Sequence, residues 1–148
     1  MMDAKSDLRV PLYFWVVGGV ALLWNIMGCG IFFNEMFNQE AAMESFTEAQ
    51  KEWVRTTPSW VYVIFGLSVA TGLAACVGLL LRKNWALPLF VASFLFVLIQ
   101  MGYTMLVAGG LQVMGPAGAV IPIVVVILAL AWVVSTLKFR NADWWSGH

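Results

Sequence analysis

The side chains of this 148-residue sequence that could do chemistry inside its apolar stretches are amides and hydroxyls: Asn25, then Ser68 and Thr71, then Ser93, Gln100 and Thr104. Each can both donate and accept hydrogen bonds. None forms an acid/base pair or an activated nucleophile, so they suit recognition of a neutral polar group, and no enzyme is expected. No Asp, Glu, Lys, Arg or His falls within the stretches read below as membrane spans. That argues against a proton-coupled pump, which carries charge through the bilayer on an ionisable residue. A single histidine, His148, gives haem or zinc no ligand set. Met27, Met101 and Met105 recur at helical spacing and read as packing, not copper ligands. Cys29 and Cys76 stand on separate helices without a C-x-x-C pair. Counted from the span ends they lie about 20 Å apart in depth, beyond disulfide reach, so no thiol oxidation chemistry and no cofactor is expected.

The elements that must position these residues follow from composition. Hydrophobic residues make up 61% of the chain and charged residues 11%, too few charges to clothe a soluble domain. The charges are clustered and leave charge-free stretches of 25, 26 and 54 residues. Because about 20 apolar residues cross a bilayer core, the first two stretches hold one helix each and the third holds two. The fold class is therefore all-α: a single polytopic membrane domain over 1–148, with four transmembrane helices in an up-down bundle over about 10–33, 60–81, 85–108 and 116–137. Pro11 is tolerated in the first turn of the first span. Gly109-Gly110 and Gly115-Pro116 mark a helix stop and a restart. The first stretch is about twice the length of a secretory h-region and lacks a small-x-small cleavage site, so it reads as a retained span.

Lys5, Arg9, Arg82, Lys83, Lys138 and Arg140 fall on one side of the bilayer, Lys51 and Arg55 on the other. The positive-inside rule then places both termini in the cytoplasm. Trp15, Trp60, Trp85 and Trp132 lie near span ends, where an indole N–H can stay in the headgroup region, whereas Trp24 sits deeper. With zero net charge and no basic run, the chain has no electrostatic footprint for nucleic acid.

Segment 34–58 carries five Glu against Lys51 and Arg55, a net charge of −3, and is too short for a domain of its own. Thr47-Glu48-Ala49-Gln50 has capping-box spacing, and Met43, Phe46, Gln50, Trp53 and Val54 share one helical face. One or two short amphipathic helices are expected, forming a lid over the outer end of the bundle or on the lipid surface. A docking surface or gate, whose glutamates attract a cationic or polyhydroxy solute, is the alternative.

At about 1.5 Å per residue from each inner span end, Asn25, Gln100 and Pro122 reach a depth of about 22 Å and Ser68 about 20 Å. One polar or helix-perturbing layer is expected across all four spans. Pro122 would free the carbonyl of Gly118, which an Asn or Gln amide could satisfy. Ser93, Gln100 and Thr104 line one stripe of the third span, Gly18, Asn25 and Cys29 one stripe of the first, and Ser68, Gly72, Ala75 and Cys76 a small-residue stripe of the second. These stripes should face one another. The layer is either an interhelical hydrogen-bond lock or a narrow neutral pocket with Trp24 and Tyr103 as aromatic walls.

Leu23-Trp24-Asn25 with Gly28, Phe46-Thr47 with Gln50, Pro58 with Trp60, and Leu80-Leu81-Arg82-Lys83 with Trp85-Ala86 resemble a group of small bacterial four-helix membrane proteins often labelled as sugar transporters. The resemblance covers most of the chain and assigns no catalytic or binding residue. It implies a bacterial inner membrane and a sugar-like substrate class. Where that group carries an acidic residue before the Gln50 position, this chain has Ala49. Two roles are thus expected of a protein whose first partner is the lipid bilayer. It is an accessory or structural subunit, packing with other membrane protein subunits or as a homo-oligomer, or it is a facilitator of a small neutral polar solute such as a sugar.

Overall fold

A computed structural model describes residues 9–146 and is all-α, with no strand among those residues. Helix α1 covers Leu12–Phe37, α2 Gln39–Ala42, α3 Glu48–Arg55, α4 Ser59–Leu80, α5 Ala86–Gly102, α6 Gly110–Gly118 and α7 Val120–Arg140. A π-helical turn, Tyr103–Val107, continues α5. Among the described residues, four segments are long and apolar enough to cross a membrane: Leu12–Phe37, Ser59–Leu80, Ala86–Val107 and Val120–Arg140. Their outward faces carry exposed Leu23, Val63, Leu95 and Ile127, as lipid contact requires.

Three boundaries differ from the sequence reading. Helix α1 runs on to Phe37 and so includes Glu35, an ionisable residue assigned above to the lid. The link between the last two spans is itself helical: Gly109 (φ 80°) stops the π turn, and α6 follows at once. Gly115 (φ 73°) then breaks α6 before Pro116, so the long α7 begins only at Val120 and reaches Arg140. Pro122 consequently sits in the first turn of α7, where a backbone N–H has no intrahelical partner to lose. It interrupts nothing at mid-membrane.

The lid is two short helices, α2 and α3. Thr47 and Gln50 form the capping box: the Gln50 N–H donates to Thr47 Oγ1 at 3.2 Å and the Thr47 N–H to Gln50 Oε1 at 3.0 Å. Arg55 pairs with Glu40 at 3.2 Å, tying α3 to α2. The segment is pinned to the bundle at two points. Gln39 Nε2 donates to the Tyr62 hydroxyl on α4 at 2.9 Å, and Trp53 Nε1 donates to the Ala108 carbonyl beyond the π turn at 2.9 Å. Met43 is fully buried and Phe46 half-buried.

At the opposite end, near Arg9 and Ser146 and hereafter the terminal end, α4 closes with a Schellman motif. Lys83 N–H bonds the Gly78 carbonyl and Arg82 N–H the Leu79 carbonyl. The left-handed position is taken by Arg82 (φ 55°) instead of glycine. Its guanidinium donates to the Trp144 carbonyl at 2.9 Å, and Trp145 Nε1 donates to Asn84 Oδ1 at 2.9 Å. These bonds hold the segment after α7 across the bundle, where Phe14 packs edge-on against Phe139 and Trp144 and all three centroids lie 5.1–5.6 Å apart. The apolar core is gathered here, in Phe14, Leu79, Phe90, Phe139 and Trp145 among others.

The four spans pack in the order α1, α4, α5, α7: α4 lies between α1 and α5, and α5 between α4 and α7. Helices α1 and α7 share no comparable packing along their length. The only buried residues of α7 are Thr136 and Phe139, close to its terminal end. The two outer helices therefore meet at the aromatic cluster and part toward the lid.

Candidate functional site

Between the four spans, in the half toward the lid, lies a chamber of about 480 Å³. Its α1 wall runs from Trp24 and Asn25 to Glu35, and its α7 wall from Ile121 to Trp132. Each spans twelve residues, about 16 Å from end to end. Phe65, Ser68 and Gly72 of α4, with Phe90, Ser93 and Gln100 of α5, complete the lining. The surface is mostly apolar and aromatic.

Gly72 makes the closest helix approach possible. A Cβ there would collide with Asn25 Oδ1 and come within 3.1 Å of Ser93 Oγ. Asn25, Gly72 and Ser93 are therefore level with one another. Asn25 Nδ2 donates to the Ala21 carbonyl at 2.8 Å and to Cys76 Sγ at 3.3 Å, while Ser93 Oγ donates to the Ser68 carbonyl at 2.8 Å. The Ser68 hydroxyl bonds the Phe65 carbonyl of its own helix. These contacts join α1, α4 and α5 through the expected polar and small-residue stripes.

Gln100 does not belong to that layer. It lies seven residues beyond Ser93 on α5, about 10 Å closer to the lid. Equal depths were expected for Asn25 and Gln100 because every span was counted from its own inner end. In the structure Gly18 of α1 faces Leu80, at the α4–α5 turn, so the first turn and a half of α1 projects beyond that turn to reach α7. The same offset brings Cys76 beside Asn25 and leaves Cys29 one helical turn away, about 6 Å along α1 instead of 20 Å. Both thiols are free.

The Gln100 side chain is only 9% exposed, lines the chamber, and has no hydrogen-bond partner among the described residues. Its amide atoms open onto the chamber, where a ligand group can hydrogen-bond them. Trp132 Nε1 is likewise buried without a partner among the described residues. This indole lines the chamber well inside α7, so the headgroup anchoring expected of it does not occur.

Of the other residues singled out from sequence, Trp24 is a chamber wall and Tyr103 is not. Tyr103 packs edge-on against Trp60, with centroids 4.6 Å apart. Thr104 is buried in the π turn, its hydroxyl donating to the Gln100 carbonyl at 2.9 Å, and supports Gln100 from behind. Gln50 and Trp53 act in the lid as capping and docking residues. Pro122 borders a separate groove on the outer side of α5 and α7, and neither Asn25 nor Gln100 donates to Gly118.

Glu35 is the ionisable lining residue that sequence reasoning missed. Its carboxylate has no ion pair or hydrogen bond among the described residues. A signal existed. Asn25, Gly28, Phe32 and Glu35 follow the 3-4-3 spacing of one helical stripe, so the helix need only continue two residues past Phe33 for Glu35 to join the Asn25 face.

Comparison of the chain with protein-family models, with curated proteins and with solved structures returns no match.

Proposed function

We propose that the protein is a non-catalytic membrane protein that binds a small, largely apolar molecule in the four-helix chamber, taking it up from the bilayer between α1 and α7. The observation carrying this reading is the Gln100 amide: nine-tenths buried, without a protein partner, and on the wall of a chamber of the size that holds small ligands. The parting of α1 from α7 supplies a route that does not cross the lid. A free sugar fits less well, since the apolar walls would leave most of its hydroxyls unsatisfied. On this reading the protein resides in a bacterial inner membrane with its termini in the cytoplasm and the lid outside, as the distribution of Lys and Arg supports.

The test is native mass spectrometry of the protein released from mild detergent, beside Ala129→Phe, which fills the chamber from α7. A small molecule retained by the wild type and lost from the variant supports binding. The same bare mass for both would sink it.

The second reading is an accessory subunit that packs on other membrane proteins or on a copy of itself. It is supported by the outer groove between α5 and α7, where Gly102 leaves open space for the close approach of another helix. Stoichiometric co-purification of a membrane protein, lost on Gly102→Phe, is the result it requires.

A further inference from the structure

The lid end of the chamber carries a feature that uptake of an apolar molecule does not use. Phe65 lies seven residues from Gly72 on α4, and Gln100 seven residues from Ser93 on α5, so both stand about 10 Å from the Asn25 layer. Phe32 of α1 meets Phe65 at that level, with centroids 5.4 Å apart. Glu35 follows one turn later on α1. The unpartnered amide on α5 and the unpaired carboxylate on α1 thus lie at successive levels on the walls of one end of a chamber whose remaining lining is mainly apolar and aromatic.

A carboxylate in such a place is stabilised by a cation. An anionic ligand would meet Glu35 with repulsion, and a neutral one would leave the charge uncompensated next to hydrocarbon. An ammonium group meets the requirement: its N–H groups can be shared between the Glu35 carboxylate and Gln100 Oε1, both acceptors, and aromatic faces nearby tolerate positive charge. The apolar remainder of such a molecule would lie toward Trp24 and Phe90. We propose that the chamber binds an ammonium-bearing amphiphile, with its cationic head on Glu35 and Gln100 and its apolar body in the aromatic half. This rests on the chamber-binding reading above and adds the ligand's charge and orientation.

Three probes of nearly equal shape test it: 2-(1-naphthyl)ethylammonium, 2-(1-naphthyl)ethanol and 1-naphthylacetate. Binding is measured by calorimetry on the full chain in phosphatidylcholine nanodiscs. The ammonium should bind about tenfold tighter than the alcohol, the discrimination one charge-assisted hydrogen bond provides, and the acetate weakest. Glu35→Gln should bring ammonium and alcohol within about twofold of each other while alcohol binding persists, which shows the variant is folded. Glu44→Gln, an exposed lid carboxylate, should keep the full preference. Equal affinity for alcohol and ammonium, or a preference that survives Glu35→Gln, overturns the ammonium assignment and leaves the chamber reading standing. Failure of all three probes to bind overturns both. Repeating the titration with phosphatidylethanolamine in the nanodisc separates two sources of the same chemistry: competition identifies an amine-headed lipid and undiminished affinity a free amine, and either outcome upholds the ammonium site.

Discussion

At the terminal end, α1 and α7 are joined by Phe14, Phe139 and Trp144 and sealed by a tail bonded to Arg82 and Asn84; at the lid end the same two helices part around a chamber. One end spends its aromatic residues on one another, edge to face. The other pairs rings as well, Phe32 with Phe65 and Trp60 with Tyr103, but also turns Trp24, Phe65 and Trp132 toward an interior space. Polar groups divide in the same way. Asn25 and Ser93 are bonded across or along helices, whereas Gln100 and Glu35, one layer further on, have no hydrogen-bonded protein partner among the described residues. The contrast separates what holds the bundle together from what would face a ligand on the proposed reading. Residues of similar chemistry serve different ends according to their distance from the aromatic cluster.

This comparison can be broken most directly at Phe14. It is fully buried among three aromatic rings, so Phe14→Ala should cost about 3–5 kcal/mol by thermal unfolding in detergent, and a loss below about 1 kcal/mol would show that the terminal end is not the stable one. Next comes Asn25→Ala, which removes the bonds to Ala21 and Cys76 and should cost about 1–2 kcal/mol. Trp53→Phe deletes only the bond to Ala108; about 0.5–1.5 kcal/mol is expected, together with faster amide exchange over residues 39–55 and an unchanged rate in α4. The smallest effect belongs to Gln100→Leu, which discards a buried amide that bonds nothing in the protein. Its stability should stay within about 0.5 kcal/mol of wild type or rise. If Gln100→Leu proved as costly as Asn25→Ala, the division between the two layers would collapse.

Much of this was legible before any coordinates. Charge-free runs located the four spans because a charge in hydrocarbon is too expensive to place casually. Thr47 and Gln50 announced the lid helix because a capping box is a local bond between neighbours in sequence. What failed had a common cause. Depth was counted within each helix, while the offset between helices is set by tertiary contacts such as Gly18 on Leu80. The offset moved Gln100 away from Asn25 and brought Cys76 to it. Glu35 was misplaced because a carboxylate normally ends a span, and here the helix carries it one turn into the chamber wall. The roles of Trp144 and Trp145 left no periodic signature, since they act from a non-helical tail through bonds to Arg82 and Asn84.

The Arg82 clamp also sets an order of assembly. Helices α1, α4 and α5 are neighbours both in sequence and in space, so three walls of the chamber can form while the ribosome is still extending the chain. The Arg82 guanidinium can meet the Trp144 carbonyl only after α7 and the segment following it have been made. Until then the lid end has no fourth wall, and a bilayer lipid has free access to the space that α7 later encloses.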